Sequence, residues 1–124
     1  MKQEELRIGN LIQWEDDSND IVQVTGISFD HDEYFVSYKE TTRNEKGDAL
    51  LSEFIPIPLT EEWLIKFGFK QDSDLKNSLC KNGIWFNKVN MEATYLSQKL
   101  IKIKYVHQLQ NLYFALTGEE LKVL

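Results

Sequence analysis

Pro56 and Pro58 flank Ile57 and are the only prolines in the chain. Each ring locks φ at about −65°, removes a backbone donor and pushes the preceding residue toward extended backbone. A regular ladder or a helix is therefore interrupted at Pro56-Ile57-Pro58, and the residue pattern changes there. Before it, apolar residues recur in short alternating runs; after it, helical spacing enters. The expectation is an α+β chain in two parts: a β-rich acidic part over residues 1–58 and an α+β part over residues 59–124. The two are expected to dock as one folding unit, because each alone is near the roughly 60-residue size at which a single core is marginal.

Residues 6–14 open with apolar positions around Gly9-Asn10, a pair suited to positive φ in a turn or bulge, and read as a first strand. An acidic loop, Glu15-Asp16-Asp17-Ser18-Asn19-Asp20, precedes Val22, Val24, Ile27 and Phe29, whose even spacing breaks at Gly26 as a bulge requires. Residues 33–39 place Tyr34, Val36 and Tyr38 on one face, which marks a third strand. A polar turn through Asn44 and Gly47 then leads to a fourth strand near residues 50–57. Short strands between tight turns predict a small antiparallel β-sheet or an SH3-like barrel.

In the second part, Thr60 is placed to cap a short helix with Glu61 and Glu62 in its first turn and Gly68 at its end. Lys81-Asn82-Gly83 separates residues 75–80 from 84–89 with a hairpin spacing. Residues 91–96 and 100–104 read as further strands, and a second helix is predicted from Tyr105 to Leu116, ended by Thr117-Gly118. The architecture expected is therefore an α, β-hairpin, α unit.

Charge divides along the same boundary. Residues 1–58 hold 5 Lys and Arg against 13 Asp and Glu, net −8, whereas residues 59–124 hold 9 against 7, net +2. Nucleic-acid affinity comes largely from clustered cations, so the first part is disfavoured as a nucleic-acid surface. The second part interleaves Lys88, Lys99, Lys102 and Lys104 with Trp85, Phe86 and Tyr95, a pattern capable of stacking single-stranded bases. No apolar run reaches the roughly 18 residues that span a bilayer, and residues 1–7 lack a signal-peptide pattern, so a cytoplasmic location and no membrane partner are expected.

Little in the sequence points to catalysis. Asp16, Ser18 and Asp20 mimic the first ligands of a calcium loop, but glycine is absent from its sixth position and Ile27 stands where a bidentate acid belongs, so no metal site is expected. His31 lies in an acidic loop, a poor setting for a neutral base. His107 has amide neighbours on its helix. The single cysteine, Cys80, falls on the predicted hairpin and reads as a structural thiol. Nucleotide-binding and hydrolase motifs are lacking, and neither a cofactor nor an enzymatic activity is expected.

The second helix is the less ordinary feature. Tyr105, Val106, Leu109, Leu112, Tyr113 and Leu116 form a core stripe about 120° wide. The opposite face holds His107, Gln108, Gln110, Asn111, Phe114 and Ala115 and carries no charge. Two coverings suit such a face, and simple exposure is the remaining alternative. One covering is the first part of the same chain, with the amides pairing to backbone groups; the other is a protein partner or a second copy, meeting His107, Gln110, Asn111 and Phe114.

The segments Pro56-Ile57-Pro58-Leu59-Thr60-Glu61-Glu62-Trp63-Leu64 with Phe67-Gly68-Phe69, and Tyr105-Val106-His107-Gln108-Leu109-Gln110-Asn111-Leu112-Tyr113-Phe114-Ala115-Leu116-Thr117-Gly118-Glu119-Glu120-Leu121, are distinctive. In them, and more loosely at residues 6–10, the chain resembles small uncharacterised bacterial phage and prophage proteins. The resemblance implies a mobile-element accessory protein acting inside a bacterial cell, and brings no catalytic or binding residues with it. Two functions follow as expectations: a non-enzymatic protein-interaction module, which is favoured, and a nucleic-acid-linked role. The latter would use the lysines for single-strand contact or the acidic part for DNA mimicry.

Overall fold

The computed structural model describes residues 1–124. It is an α+β protein with two five-stranded antiparallel sheets and two α-helices. The chain divides into two compact units, Met1–Ile57 with Tyr105–Asn111, and Pro58–Lys104 with Leu112–Leu124. The first unit thus takes in a segment distant in sequence from the rest of it.

In the first unit, β1 (Leu11–Trp14), β2 (Ile21–Asp30), β3 (Glu33–Glu40) and β4 (Lys46–Leu50) form a meander, and β5 (Phe54–Ile55) returns to pair with β1. The order is β4-β3-β2-β1-β5, so β4 and β5 are open edges and the sheet does not close into a barrel. Alternation places Ile12, Val22, Val24 and Val36 in a buried cluster with Leu6 and Phe54, and Trp14, Tyr38, Ala49 and Leu51 pack against it. Trp14 stacks on Phe54 at 4.4 Å between ring centroids and meets Tyr38 edge-on at 5.1 Å. The register of β2 on β3 shifts between Val24 and Gly26, which is the bulge expected at that glycine.

Two expectations for this unit are corrected. Residues 6–10 are not strand. The Asn10 side chain accepts a hydrogen bond from Arg7 N at 2.7 Å, Gly9 takes φ of 100°, and the resulting turn delays β1 until Leu11. The fourth strand is not a run over residues 50–57 either. It begins at Lys46 and ends at Leu50, and a 3-10 turn, Leu51–Glu53, carries the chain from the β3 side of the sheet to the β1 side, where β5 forms.

In the second unit, α1 (Glu61–Lys66) starts where Thr60 Oγ1 accepts from Trp63 N at 3.4 Å and stops before Gly68, at φ of 90°. The predicted hairpin is present as β7 (Ser78–Lys81) and β8 (Ile84–Asn87), turned by Asn82 and Gly83 at φ of 48° and 85°. It is part of a larger sheet than expected, since β6 (Lys70–Gln71), β9 (Ala93–Tyr95) and β10 (Gln98–Lys99) complete the order β10-β9-β8-β7-β6. Residues 100–104 are not strand. Leu96 and Ser97, at φ of 51° and 66°, make a tight turn that sends β9 back on itself early. Neither residue ordinarily favours that conformation, so the turn left no trace in the sequence. Leu79, Ile84, Phe86 and Ala93 are buried, and Phe86 meets Phe69 edge-on.

The second helix, α2 (Val106–Thr117), ends at Gly118 with φ of 75°. Its first residues belong to the first unit, where Val106 N donates to Ile57 O at 2.9 Å. Phe54→Ala is expected to cost about 3–5 kcal/mol, the usual loss for a buried phenyl ring. Urea unfolding followed by tryptophan fluorescence checks this, because Trp14 loses its stacking partner.

Candidate functional site

The uncharged face of α2 is built mainly from amides, and the structure shows where they go. Asn10, held in its turn, is fully buried and donates through Nδ2 to Asn111 Oδ1 at 2.9 Å and to Gln110 Oε1 at 3.4 Å. Gln110 Oε1 also accepts from Leu11 N at 2.8 Å, while its Nε2 donates to Gly9 O at 3.3 Å. Asn111 accepts from Arg7 Nη1 at 3.1 Å and donates to Glu5 O at 2.8 Å. Three side-chain amides thus satisfy Glu5 O, Arg7 N, Gly9 O and Leu11 N in the irregular entry to β1, where Gly9 N and Asn10 O bond to Val24 of β2 instead. Gln110 and His107 are buried and present no surface to a partner, and Asn111 is half-buried. Phe114 lies in the second unit and is 41% exposed. The four residues expected to share one interaction face are therefore divided by burial.

His107 has no exposed surface, stacks on Tyr105 with ring centroids 5.9 Å apart, and finds no hydrogen-bond partner for either ring nitrogen. Glu5 Oε2 stands 3.6 Å from Nε2. Burial lowers the pKa of the ring below its ordinary 6.5, and the Glu5 carboxylate opposes that effect without overcoming it. A fully buried imidazole that presents no surface to a substrate is not placed for proton transfer to one. Cys80 is also poorly suited to chemistry, because burial, and then Asp72, push its thiol upward, away from the thiolate.

The lysines of the second unit do not form a free cationic track. Lys88 Nζ lies 3.4 Å from Glu61 Oε1 and donates to Gln71 Oε1 at 3.3 Å, and Lys99 Nζ lies 3.4 Å from Glu92 Oε1. Lys102 and Lys104 are exposed on residues without regular structure. Among the interleaved rings, Phe86 is core, while Trp85 and Tyr95 are half-buried. In the acidic loop, Asp16 accepts from Ser18 N at 3.0 Å, and Asp20 lies 3.6 Å from Arg43 Nη2. Asp16 and Asp20 are thus used by the turn and by an arginine.

A surface absent from the sequence expectations stands out instead. Beyond Gly26, β2 and β3 continue as a two-stranded ribbon closed by His31 and Asp32 at φ of 51° and 63°. The pairs Ile27↔Val36 and Phe29↔Tyr34 continue the face that carries Val24 and Tyr38; Val36 still belongs to the buried cluster, whereas Ile27, Phe29 and Tyr34 lie outside it. Phe29 is 58% exposed, Ile27 and Tyr34 are exposed too, and the Phe29 and Tyr34 rings pack at 4.7 Å. A hollow of about 270 Å³ beside Tyr34 is lined by Met1, Glu33, Leu50, Leu51 and Ser52. β2 runs past the end of β1, so the ribbon has a strand partner on its β3 side alone.

Fold and surfaces together define an α+β protein of two antiparallel sheets that carries exposed apolar side chains on a β-ribbon. Compared with known proteins, the chain matches no family model, no curated protein and no solved structure. No helix is long and apolar enough to cross a membrane.

The His107 ring generates a pH prediction. Its folded pKa lies below 6.5, so the unfolded chain binds the extra proton first as pH falls. The stability that comes from keeping the ring neutral is therefore complete above about pH 6.5 and is lost progressively below it. Urea midpoints measured from pH 7.5 to 5 are expected to fall in the native chain and to fall less in His107→Leu. Parallel profiles would contradict the assignment.

Proposed function

We propose that the protein is a non-enzymatic protein-interaction module that works through the β2–β3 ribbon. The observation that carries this reading is the exposed group Ile27, Phe29 and Tyr34, in which a ring packed on its neighbour still leaves most of its area in water. Contiguous exposed aromatic surface is the kind that interfaces bury, with aromatic anchors contributing most of the affinity. The internal use of Gln110 and the ion pairs of Lys88 and Lys99 favour this surface over the helix face and the lysine stretch.

The strand order of the first unit, a meander with its last strand returned beside the first, supports the finer reading of that unit as SH3-like. The resemblance to phage and prophage proteins supports a role in a mobile element, inside the bacterial cell. Neither a cofactor nor a metal enters this function.

Phe29→Thr keeps β propensity and removes the anchor. Because the ring is largely in water, the variant should lose about 1 kcal/mol or less of stability. Immobilised native chain and variant are compared in extracts of phage-infected bacterial cells, with and without nuclease. Proteins retained by the native chain, lost with Phe29→Thr and unaffected by nuclease are the expected result. Retention that vanishes with nuclease and is indifferent to Phe29 would contradict the proposal and favour the nucleic-acid role of Lys88, Lys99, Lys102 and Lys104.

A further inference from the structure

We infer that the free edge of β2, over residues 25–30, accepts a cationic, extended segment of a partner protein as an added strand lying beside Ile27 and Phe29. This rests on the interaction reading above and adds to it the backbone edge used and the chemistry of the occupant.

The edge follows from strand pairing. β1 pairs with β2 at Leu11↔Gln23, Ile12↔Val22 and Gln13↔Ile21, and the last bonds between the two segments are Gly9 N to Val24 O at 2.7 Å and Val24 N to Asn10 O at 2.8 Å. Past Val24, β2 has a neighbour on its β3 side alone. Asp30↔Glu33 closes a two-residue hairpin and is therefore a hydrogen-bonded pair, so alternation turns the N–H and C=O of Phe29 and Ile27 toward the open side. Backbone groups in that arrangement, held extended by β3, are what strand addition requires. The exposed side chains of the same two residues supply the apolar contact.

Charge selects the occupant. Met1–Ile57 holds 5 Lys and Arg against 13 Asp and Glu, and the ribbon ends in Asp30, Asp32 and Glu33, with His31 turned to Asp30 at 2.8 Å. A second copy, itself of net charge −6, would bring the same acids against this edge. The bulge at Gly26 also twists the edge, a device that discourages pairing between flat identical strands. A strand bearing Lys or Arg at alternate positions meets the acids while its apolar residues lie beside Phe29.

The test uses the full chain and three synthetic probes: a short peptide alternating Lys with Val, the same peptide N-methylated along one edge, and its counterpart with Glu in place of Lys. Amide shifts are followed by two-dimensional NMR. The Lys peptide is expected to shift residues 25–30, with the largest changes at Ile27 and Phe29, and the other two probes are expected to leave them unmoved. Combining Asp30→Asn, Asp32→Asn and Glu33→Gln should weaken the Lys peptide roughly five- to tenfold, the effect of three exposed charge contacts. Equal binding by the N-methylated peptide would overturn strand addition. Equal binding by the Glu peptide, or no shift at all in residues 25–30, would overturn the cationic occupant. Concentration-dependent broadening of these amides in the free chain would assign the edge to a second copy and likewise overturn it. None of these failures removes the interaction reading, which falls instead if Phe29→Thr leaves capture unchanged.

Discussion

β2 extends over ten residues and β1 over four, and the first sheet is organised by that mismatch. Where the two overlap, Ile12, Val22 and Val24 are buried in a common cluster. Where β2 outruns β1, the same alternation continues with β3 beside it, and Ile27 and Phe29 are exposed. A two-stranded ribbon is marginal in water by itself, so its persistence depends on the wider sheet from which it grows, to which the Phe29 and Tyr34 pair adds little. The same constraint that ends the core thus creates the surface to which the proposed function is assigned.

The turn at residues 7–10 is the other half of this constraint, because it stops β1 short. A turn lacking a ladder leaves backbone groups that must find partners once buried. The three amides Asn10, Gln110 and Asn111 supply them, bonding to Arg7 N, Gly9 O, Leu11 N and Glu5 O. This accounts for a helix face that carries no charge. A lysine or glutamate at Gln110 would be placed in a buried position with one of its two backbone partners mismatched.

How much of this was legible depended on how local the cause was. The Thr60 cap, the Asn82-Gly83 turn, the bulge at Gly26 and the stop at Gly118 each follow from the conformational preferences of one or two residues, and all are where the sequence places them. The split of residues 46–55 into two strands was hidden because it depends on β5 reaching β1, a pairing remote in sequence. The turn at Leu96 and Ser97 was hidden because neither residue favours positive φ. For α2, the missing charge was visible, but composition could not separate the buried His107 and Gln110 from the exposed Phe114. The ribbon escaped notice because an alternating strand reads the same whether or not another strand lies beside it.

The central claim is that the β2 edge beyond Val24 is open in the free chain, and residue-resolved amide hydrogen exchange tests it most directly. Ser28 and Asp30 point their N–H groups at β3, whereas Ile27 and Phe29 point theirs away. The account predicts protection at Ser28 and Asp30 and fast exchange at Ile27 and Phe29. Uniform protection along residues 25–30 would mean that the edge is already covered and would contradict it.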